Sequence, residues 1–171
     1  MAIIIETGAI VAGAESYISA ADATTYHTAR GNTSWTGTDA VKEAALRKAA
    51  SYLDGHYRNR WKGCKVRPVP SDGLDTQSME WPRDYVEISG YLFPFDEIPQ
   101  RIKDAQCELA LIALSADLAP SVAAGVKREK LDVLETEYFA GAPAGTTVYT
   151  AVNNLLADLL KPLNACDAVR G

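Results

Sequence analysis

No phosphate-binding or hydrolytic signature occurs in this 171-residue sequence. GxxxxGK(S/T) and GxGxxG are absent, which removes the usual backbone cradles for nucleotide phosphates. HExxH and the GxSxG elbow are absent too, so neither a zinc peptidase nor a serine hydrolase is written here. Histidine is scarce. His27 and His56 lie far apart in sequence, and a metal or catalytic pair needs convergence plus a third group. Cysteine is scarce and odd in number: Cys64, Cys107 and Cys166, with no CxxC pair. That disfavours both a disulfide scaffold and a zinc site, and predicts buried reduced thiols. No apolar run approaches the roughly 20 residues of a membrane span. Met1–Ile5 is apolar, but Glu6 and Gly8 interrupt it and no basic region precedes it, unlike a signal peptide. Basic charge is not in excess. Lys and Arg number 17 against 22 Asp and Glu, giving a net charge of -5, so overall attraction to a phosphate backbone is not expected.

A hydrophobic content of 47% is enough to build a core, and 23% charged residues argue against wholesale disorder. The length suits one domain, or one domain with a small appendage. Four segments carry helical signals. Ser19 with Asp22 forms an N-terminal capping pair, so a helix starts near Ala20 and stops at Gly31. Thr38 or Asp39 caps a second helix, whose inner stripe is Val41, Ala45, Leu46, Ala49, Ala50 and Leu53. Gly55 ends or bends it. Pro99 starts a third helix, with Ile102, Ala105, Leu109, Ile112, Ala113 and Ala116 inward and an end near Leu118. Thr146 or Thr147 caps the last helix. Its stripe of Val148, Ala151, Val152, Leu155, Leu156, Leu159 and Leu160 is the cleanest amphipathic signal, and Pro162 ends it.

Between these lie less regular stretches. Ile3–Ile5 reads as a short strand or extended arm. Residues 58–97 hold Pro68, Pro70, Pro82 and Pro94, and form either a packed irregular segment or a functional loop. Val126 to Phe139 reads as a β-hairpin or long strand with a turn at Leu131-Asp132, and Gly141–Gly145 as a linker. The predicted architecture is mainly α: a small bundle of about four helices, a short β-hairpin, and extended N- and C-terminal arms. Its parts are an arm at 1–15, a helical core at 16–120 containing the irregular 58–97 loop, a hairpin and linker at 121–145, and a terminal helix and tail at 146–171.

One constellation has chemical content. Arg58, Arg60, Lys62, Lys65 and Arg67 interleave with Tyr57 and Trp61. Basic and aromatic side chains together suit single-stranded nucleic acid, since phosphates take the charge and bases stack on rings. The plainer alternative is a solvated or subunit-contacting surface whose Trp61 anchors the loop. In Glu80-Trp-Pro-Arg83, Trp81 is expected to plug the helical core, and Arg83 to meet a carboxylate, across a subunit boundary for instance. Asp72, Asp75, Glu80, Asp84, Glu87, Asp96 and Glu97 read as a solvated acidic loop rather than an acid–base pair. His56, just after Gly55, is expected at a helix C-terminus.

Ser16-Tyr-Ile-Ser19, Arg30-Gly-Asn32, Lys42–Leu46, Tyr52-Leu-Asp54, Arg60–Gly63, Trp81-Pro-Arg83 and Ile98-Pro99 occur in this order, continued by Glu129–Leu131 and Glu137-Tyr138. From about Ser16 to Tyr138 this set resembles the head–tail connector, or adaptor, proteins of tailed bacteriophages. Relatives often carry the label of a DnaT-like single-stranded-DNA-binding protein. The resemblance implies a structural role: a homo-oligomeric ring, typically of twelve, beneath the portal. Such a ring extends the DNA channel, lets DNA pass without specific binding, and presents a platform to the next neck, stopper or tail protein. A net acidic chain suits that passage. The chain would be made in the host cytoplasm and reside in the virion neck. No enzyme activity, cofactor, metal or membrane contact is implied. Docking to the portal is expected from the terminal segment through Val148, Val152, Leu155, Leu159, Leu163 and Arg170. Contacts between subunits, or with DNA, are expected from Arg58, Arg60, Trp61, Lys62, Lys65 and Arg67. The alternative function is a replication-associated single-strand binder.

Overall fold

In the computed structural model, which describes residues 2–67, 77–119, 128–131, 134–137 and 149–162, two helices form the spine. They are α2 (Asp39–His56) and α3 (Gln100–Ala113). Leu46, Ala49, Ala50 and Leu53 of α2 and Ile102, Ala105, Leu109 and Ala110 of α3 are all buried. The alanines keep the facing surfaces thin, so the backbones approach closely, and the leucines and isoleucine supply the apolar area. Each such large side chain contributes about 1.5–3 kcal/mol on burial. α1 (Ala20–Ala29) packs against both, and α4 (Thr150–Leu156), continued by a 3-10 turn at Ala157–Leu159, packs against α3. The fold is a small, mostly helical one, as the pattern of apolar residues predicts.

Local chemistry explains the helix ends. The Ser19 hydroxyl accepts the Asp22 N–H at 3.0 Å and donates to the Asp22 carboxylate at 2.7 Å, a reciprocal cap. Gly31, at φ 67°, follows the end of α1. Thr38 occupies the N-cap of α2 without a side-chain hydrogen bond. Gly55 does not stop α2, which runs on to His56. α3 follows Pro99 as expected but closes at Ala113, short of Leu118. α4 begins after Tyr149 rather than at Thr146 or Thr147, which lie outside the described residues.

The irregular segment is a packed one, built on very short antiparallel pairs. β1 (Cys64–Lys65) pairs with β2 (Arg83–Asp84), and β3 (Glu87–Ile88) with β4 (Tyr91–Leu92). A third pair, β5 (Arg128–Leu131) with β6 (Leu134–Glu137), is the predicted hairpin, with Leu131 opposite Leu134. Its two connecting residues lie outside the described residues, as do the 141–145 linker and the 163–171 tail. The peptide bond before Pro82 is cis. Trp81, expected in the core, is fully buried there beside Trp61, with ring centroids 5.8 Å apart.

The first residues lie back against this body. Glu6 donates its N–H to Ser16 at 2.8 Å, and Ile5 bridges Ser16. The Glu6 carboxylate accepts N–H bonds from Gly8, Ile10 and Val11 at 2.9–3.0 Å, which closes the loop around it. A buried glutamine then locks this segment to both spine helices. Gln106 accepts the Tyr17 N–H at 2.9 Å and donates to Ser16 Oγ at 2.7 Å and to the Leu46 carbonyl at 3.0 Å. The thiols divide: Cys107 is buried, and burial pushes it up to about 12, whereas Cys64 is exposed, contrary to the expectation of buried thiols. Cys166 lies outside the described residues. No described helix is long and apolar enough to cross a membrane.

Two glycines of similar φ separate backbone strain from packing. Gly31 (φ 67°) has open space where a Cβ would stand, whereas a Cβ on Gly63 (φ 64°) would lie 2.1 Å from the Asp84 carbonyl. Gly31→Ala should therefore cost only the left-handed penalty of about 1–2 kcal/mol. Gly63→Ala should cost clearly more, because the β1–β2 pair must open. Paired urea unfolding curves of the two variants check the order.

Candidate assembly surface and the buried polar knot

The 58–67 segment leaves α2 at its C-terminus, and the geometry there decides what its basic and aromatic residues can do. Tyr57 and Trp61 are each only 1% exposed. Tyr57 donates its hydroxyl proton to the side-chain Oδ1 of Asn153 at 2.6 Å, and its ring packs 5.6 Å from that of Trp61. Trp61 forms an antiparallel bridge with Leu160. Lys62 N–H meets the Leu159 carbonyl at 3.0 Å, and Lys161 N–H the Arg60 carbonyl at 2.7 Å. The segment is thus stitched to the end of the terminal helix. A base cannot stack on Trp61 without unfolding this seam.

Part of the charge is engaged as well. Glu80 is buried, and its carboxylate gathers three cations of its own chain: Arg83 Nη1 at 3.1 Å, Arg58 Nε at 3.4 Å and Lys65 Nζ at 3.7 Å. Arg83 is buried too, and donates to the carbonyls of Lys62 at 2.9 Å and Gly63 at 3.0 Å. Its planar fork therefore ties the basic segment to the Trp81-Pro82 turn, a task for which lysine has the wrong shape. Burial depresses the Arg83 pKa, opposed by Glu80. The expected carboxylate partner of Arg83 is thus within the chain, not across a subunit boundary. Lys65 also donates to the Gln77 carbonyl at 3.3 Å, and Lys62 to the Glu87 carbonyl at 3.2 Å. Arg67 gives its N–H to the Gln77 side chain at 3.2 Å. Arg60 lies 5.8 Å from the centre of the Tyr57 ring.

Beneath Glu80 sits a second layer. Tyr17 donates its hydroxyl proton to Asp54 Oδ1 at 2.5 Å, while Asp54 Oδ2 accepts the Glu80 N–H at 3.1 Å. The Tyr17 hydroxyl in turn accepts the Trp81 N–H at 3.2 Å. Burial raises the Tyr17 pKa well above its ordinary value, helped by the Asp54 charge. Burial also pushes Asp54 up to about 6, opposed by the hydrogen bonds from Tyr17 and the Glu80 backbone. The knot's arrangement positions backbone, since Asp54 and the Tyr17 hydroxyl take the N–H groups of Glu80 and Trp81.

The terminal segment divides similarly. Val152 and Leu159 are buried in the chain's own core, so they hold α4 in place rather than present a docking face. Leu155 is half-buried, and Val148, Leu163 and Arg170 lie outside the described residues. His56 closes α2 as expected, with its ring stacked 5.0 Å from that of Tyr52. His27 faces the core, 4.5 Å from the Trp35 ring, and burial lowers its pKa. The two histidines do not share a site. Among the described residues no cluster of three metal-ligating side chains occurs.

A surface that the apolar periodicity did not reveal stands beside the knot. The β3–β4 hairpin turns at Ser89 and Gly90, both at positive φ, and exposes Tyr91 at 79% and Leu92 at 73%. Tyr85, exposed at 72%, and Phe95 extend the same stretch. The legible signal was the Ser89-Gly90 dipeptide, a turn marker, between Val86-Glu-Ile88 and Tyr91-Leu92.

A protein-family model described as "Putative DnaT-like ssDNA binding protein" matches residues 1–171, the whole chain, and the chain belongs to that family. No curated protein and no solved structure matches it.

The knot makes a pH prediction. Asp54 stands near 6 in the folded chain against an ordinary 3.8, so the folded state keeps a proton that the unfolded state releases. The stability linked to that proton is complete below about pH 4 and is lost as pH rises through 6, up to about 3 kcal/mol. The stability of the native chain minus that of Asp54→Asn should therefore fall between pH 4 and pH 7. Urea unfolding across that range checks it; a difference that stays flat or rises with pH contradicts it.

Proposed function

We propose that this chain is a structural head–tail adaptor of a tailed phage, a ring subunit beneath the portal that extends the DNA channel and seats the next neck or tail protein. The observation that carries this reading is a division of labour in the 58–97 region. Tyr57 and Trp61 are buried inside the subunit and Arg58 and Lys65 reach its own Glu80, while apolar residues stand exposed on the neighbouring hairpin. The exposed aromatic and leucine side chains of this stretch share it with the exposed carboxylates Glu87, Asp96 and Glu97, a setting that favours a protein partner over a phosphate backbone. The ordered motif set that resembles the connector family supports the same reading. The motifs Tyr52-Leu-Asp54, Arg60–Gly63 and Trp81-Pro-Arg83 contribute the knot that holds the hairpin against the helices. A net charge of -5 suits a channel wall past which DNA slides.

The family description favours a second reading, single-stranded-DNA binding. In that reading Trp61 is the natural stacking platform, and its burial argues against it. The two readings part in a titration with oligo-dT followed by fluorescence anisotropy between 50 and 200 mM salt. The adaptor reading predicts no micromolar binding at physiological salt, and a loss of folding stability rather than affinity in Trp61→Ala. Tight binding that weakens steeply with salt and drops with Trp61→Ala would replace it with the strand-binding reading.

A further inference from the structure

The connection from α1 to α2, residues 30–38, is exposed along most of its length. Trp35 is its one buried residue and Asn32 its one half-buried residue. Both meet the same side chain, His27 of α1, which is fully buried. Asn32 Nδ2 lies 3.1 Å from His27 Nδ1, and the Trp35 ring centre lies 4.5 Å from that of the imidazole at a tilt of 34°. Trp35 Nε1 also donates to Thr24 Oγ1 at 3.0 Å. Gly31 and Gly37, at φ 67° and 111°, bracket the two anchors and give the connection a hinge at each end.

This site suits one charge state of the ring. The amide NH2 of Asn32 is a donor, and it needs an unprotonated ring nitrogen to accept it. The proton of the neutral ring then sits on Nε2, which is buried and has no hydrogen-bond partner among the described residues. The Cys107 carbonyl of α3 faces the ring without closing that bond. Arg30 at the end of α1 and Lys42 of α2 already bring two positive charges towards it. Glu108 of α3 faces it too, but its carboxylate accepts the Tyr26 hydroxyl at 2.7 Å. A proton on Nδ1 would set donor against donor at Asn32 and add a third positive charge, this one in the core. Burial, helped by the two cations, accordingly holds the His27 pKa below its ordinary 6.5, against the pull of Glu108 and the Cys107 carbonyl.

We propose that His27 is an acid-sensitive latch: the neutral ring holds Asn32 and Trp35 against the helices, and protonation releases the 30–38 connection while the α2–α3 spine stays folded. Once released, the connection swings on its two glycines and uncovers Trp35 and the face of α1 beneath it. The direction follows from linkage. An opened imidazole takes up its proton near 6.5, whereas the latched one takes it only at lower pH. Latching is therefore complete above about pH 6.5 and weakens as pH falls. Asp54 acts in the opposite sense, since its stabilising proton is gained as pH falls, so it cannot supply this loss. The latch needs neither the adaptor reading nor the strand-binding one.

Hydrogen exchange of the full chain, followed by mass spectrometry and corrected for the intrinsic pH dependence of exchange, reads the latch directly. The amides of Asn32, Trp35 and Thr36 are hydrogen-bonded within the connection or to its anchor. Their protection should fall at least about fivefold between pH 7 and pH 5, while that of Ile102–Ala113 in α3 holds. His27→Gln keeps a neutral amide in the site at every pH and should abolish the fall. His56 is untouched by that change, so the difference belongs to His27. Asn32→Asp sets a carboxylate at Nδ1, which accepts from the protonated ring and should keep the connection closed at pH 5. This second variant decides the matter where the glutamine variant folds poorly. Protection that stays flat from pH 7 to pH 5 in the native chain overturns the proposal, as does a fall of the same size in either variant. So does a loss in step across Ile102–Ala113, because the opening would then be global unfolding.

Discussion

The structure depends on one buried polar junction, in which Asp54 at the last turns of α2 holds both the Tyr17 hydroxyl and the Glu80 backbone. Much of the described irregular structure is tied to it. Tyr17 belongs to the segment that Gln106 fastens to the spine helices, and Glu80 opens the turn that buries Trp81. Arg83 then reaches back to the carbonyls of Lys62 and Gly63, so the segment after α2 and the turn before β3 share one anchor. A buried donor or acceptor left unmatched costs about 1–3 kcal/mol, and a charge more. The junction avoids this by matching most of its groups within a few ångströms. Helix packing supplies the body, but this network fixes where the 58–97 region lies and which of its residues face out.

That arrangement accounts for the mixed signals of the basic segment. A row of arginines and lysines beside a tyrosine and a tryptophan has the composition of a strand-binding face. Composition, however, does not report which side chains a distant glutamate will claim. Glu80 is near Arg83 in sequence, but more than ten residues from Lys65 and Arg58, and the contact between them is made only by the fold. The same holds for Trp61, whose burial depends on the bridge to Leu160 a hundred residues later. The helices were readable because their stripes repeat locally: Ala45 to Leu53 and Ile102 to Ala110 face inward as their spacing requires. The terminal stripe was readable as apolar. Its destination was not, because an amphipathic face looks alike whether it meets its own core, as Val152 and Leu159 do, or a partner.

Among the described residues, what stays exposed after these internal demands are met includes the apolar side chains on which the proposed adaptor role rests. Tyr85, Tyr91, Leu92 and Phe95 are all exposed within one short stretch of chain that contains the β3–β4 hairpin. A rigid presentation of this kind favours docking, since little conformational freedom is lost on contact. The link from sequence to function runs through rigidity. Residues with the look of chemistry serve as staples, and the staples aim an apolar tip.

The central claim, that the chain works as a structural subunit of a particle, is tested most directly by quantitative mass spectrometry of purified mature particles from the source that encodes it. The account predicts its presence at a copy number equal to that of the portal subunit or in a simple ratio to it, as a closed ring on a ring requires. Absence from particles, with the chain confined to extracts of infected cells, would contradict it.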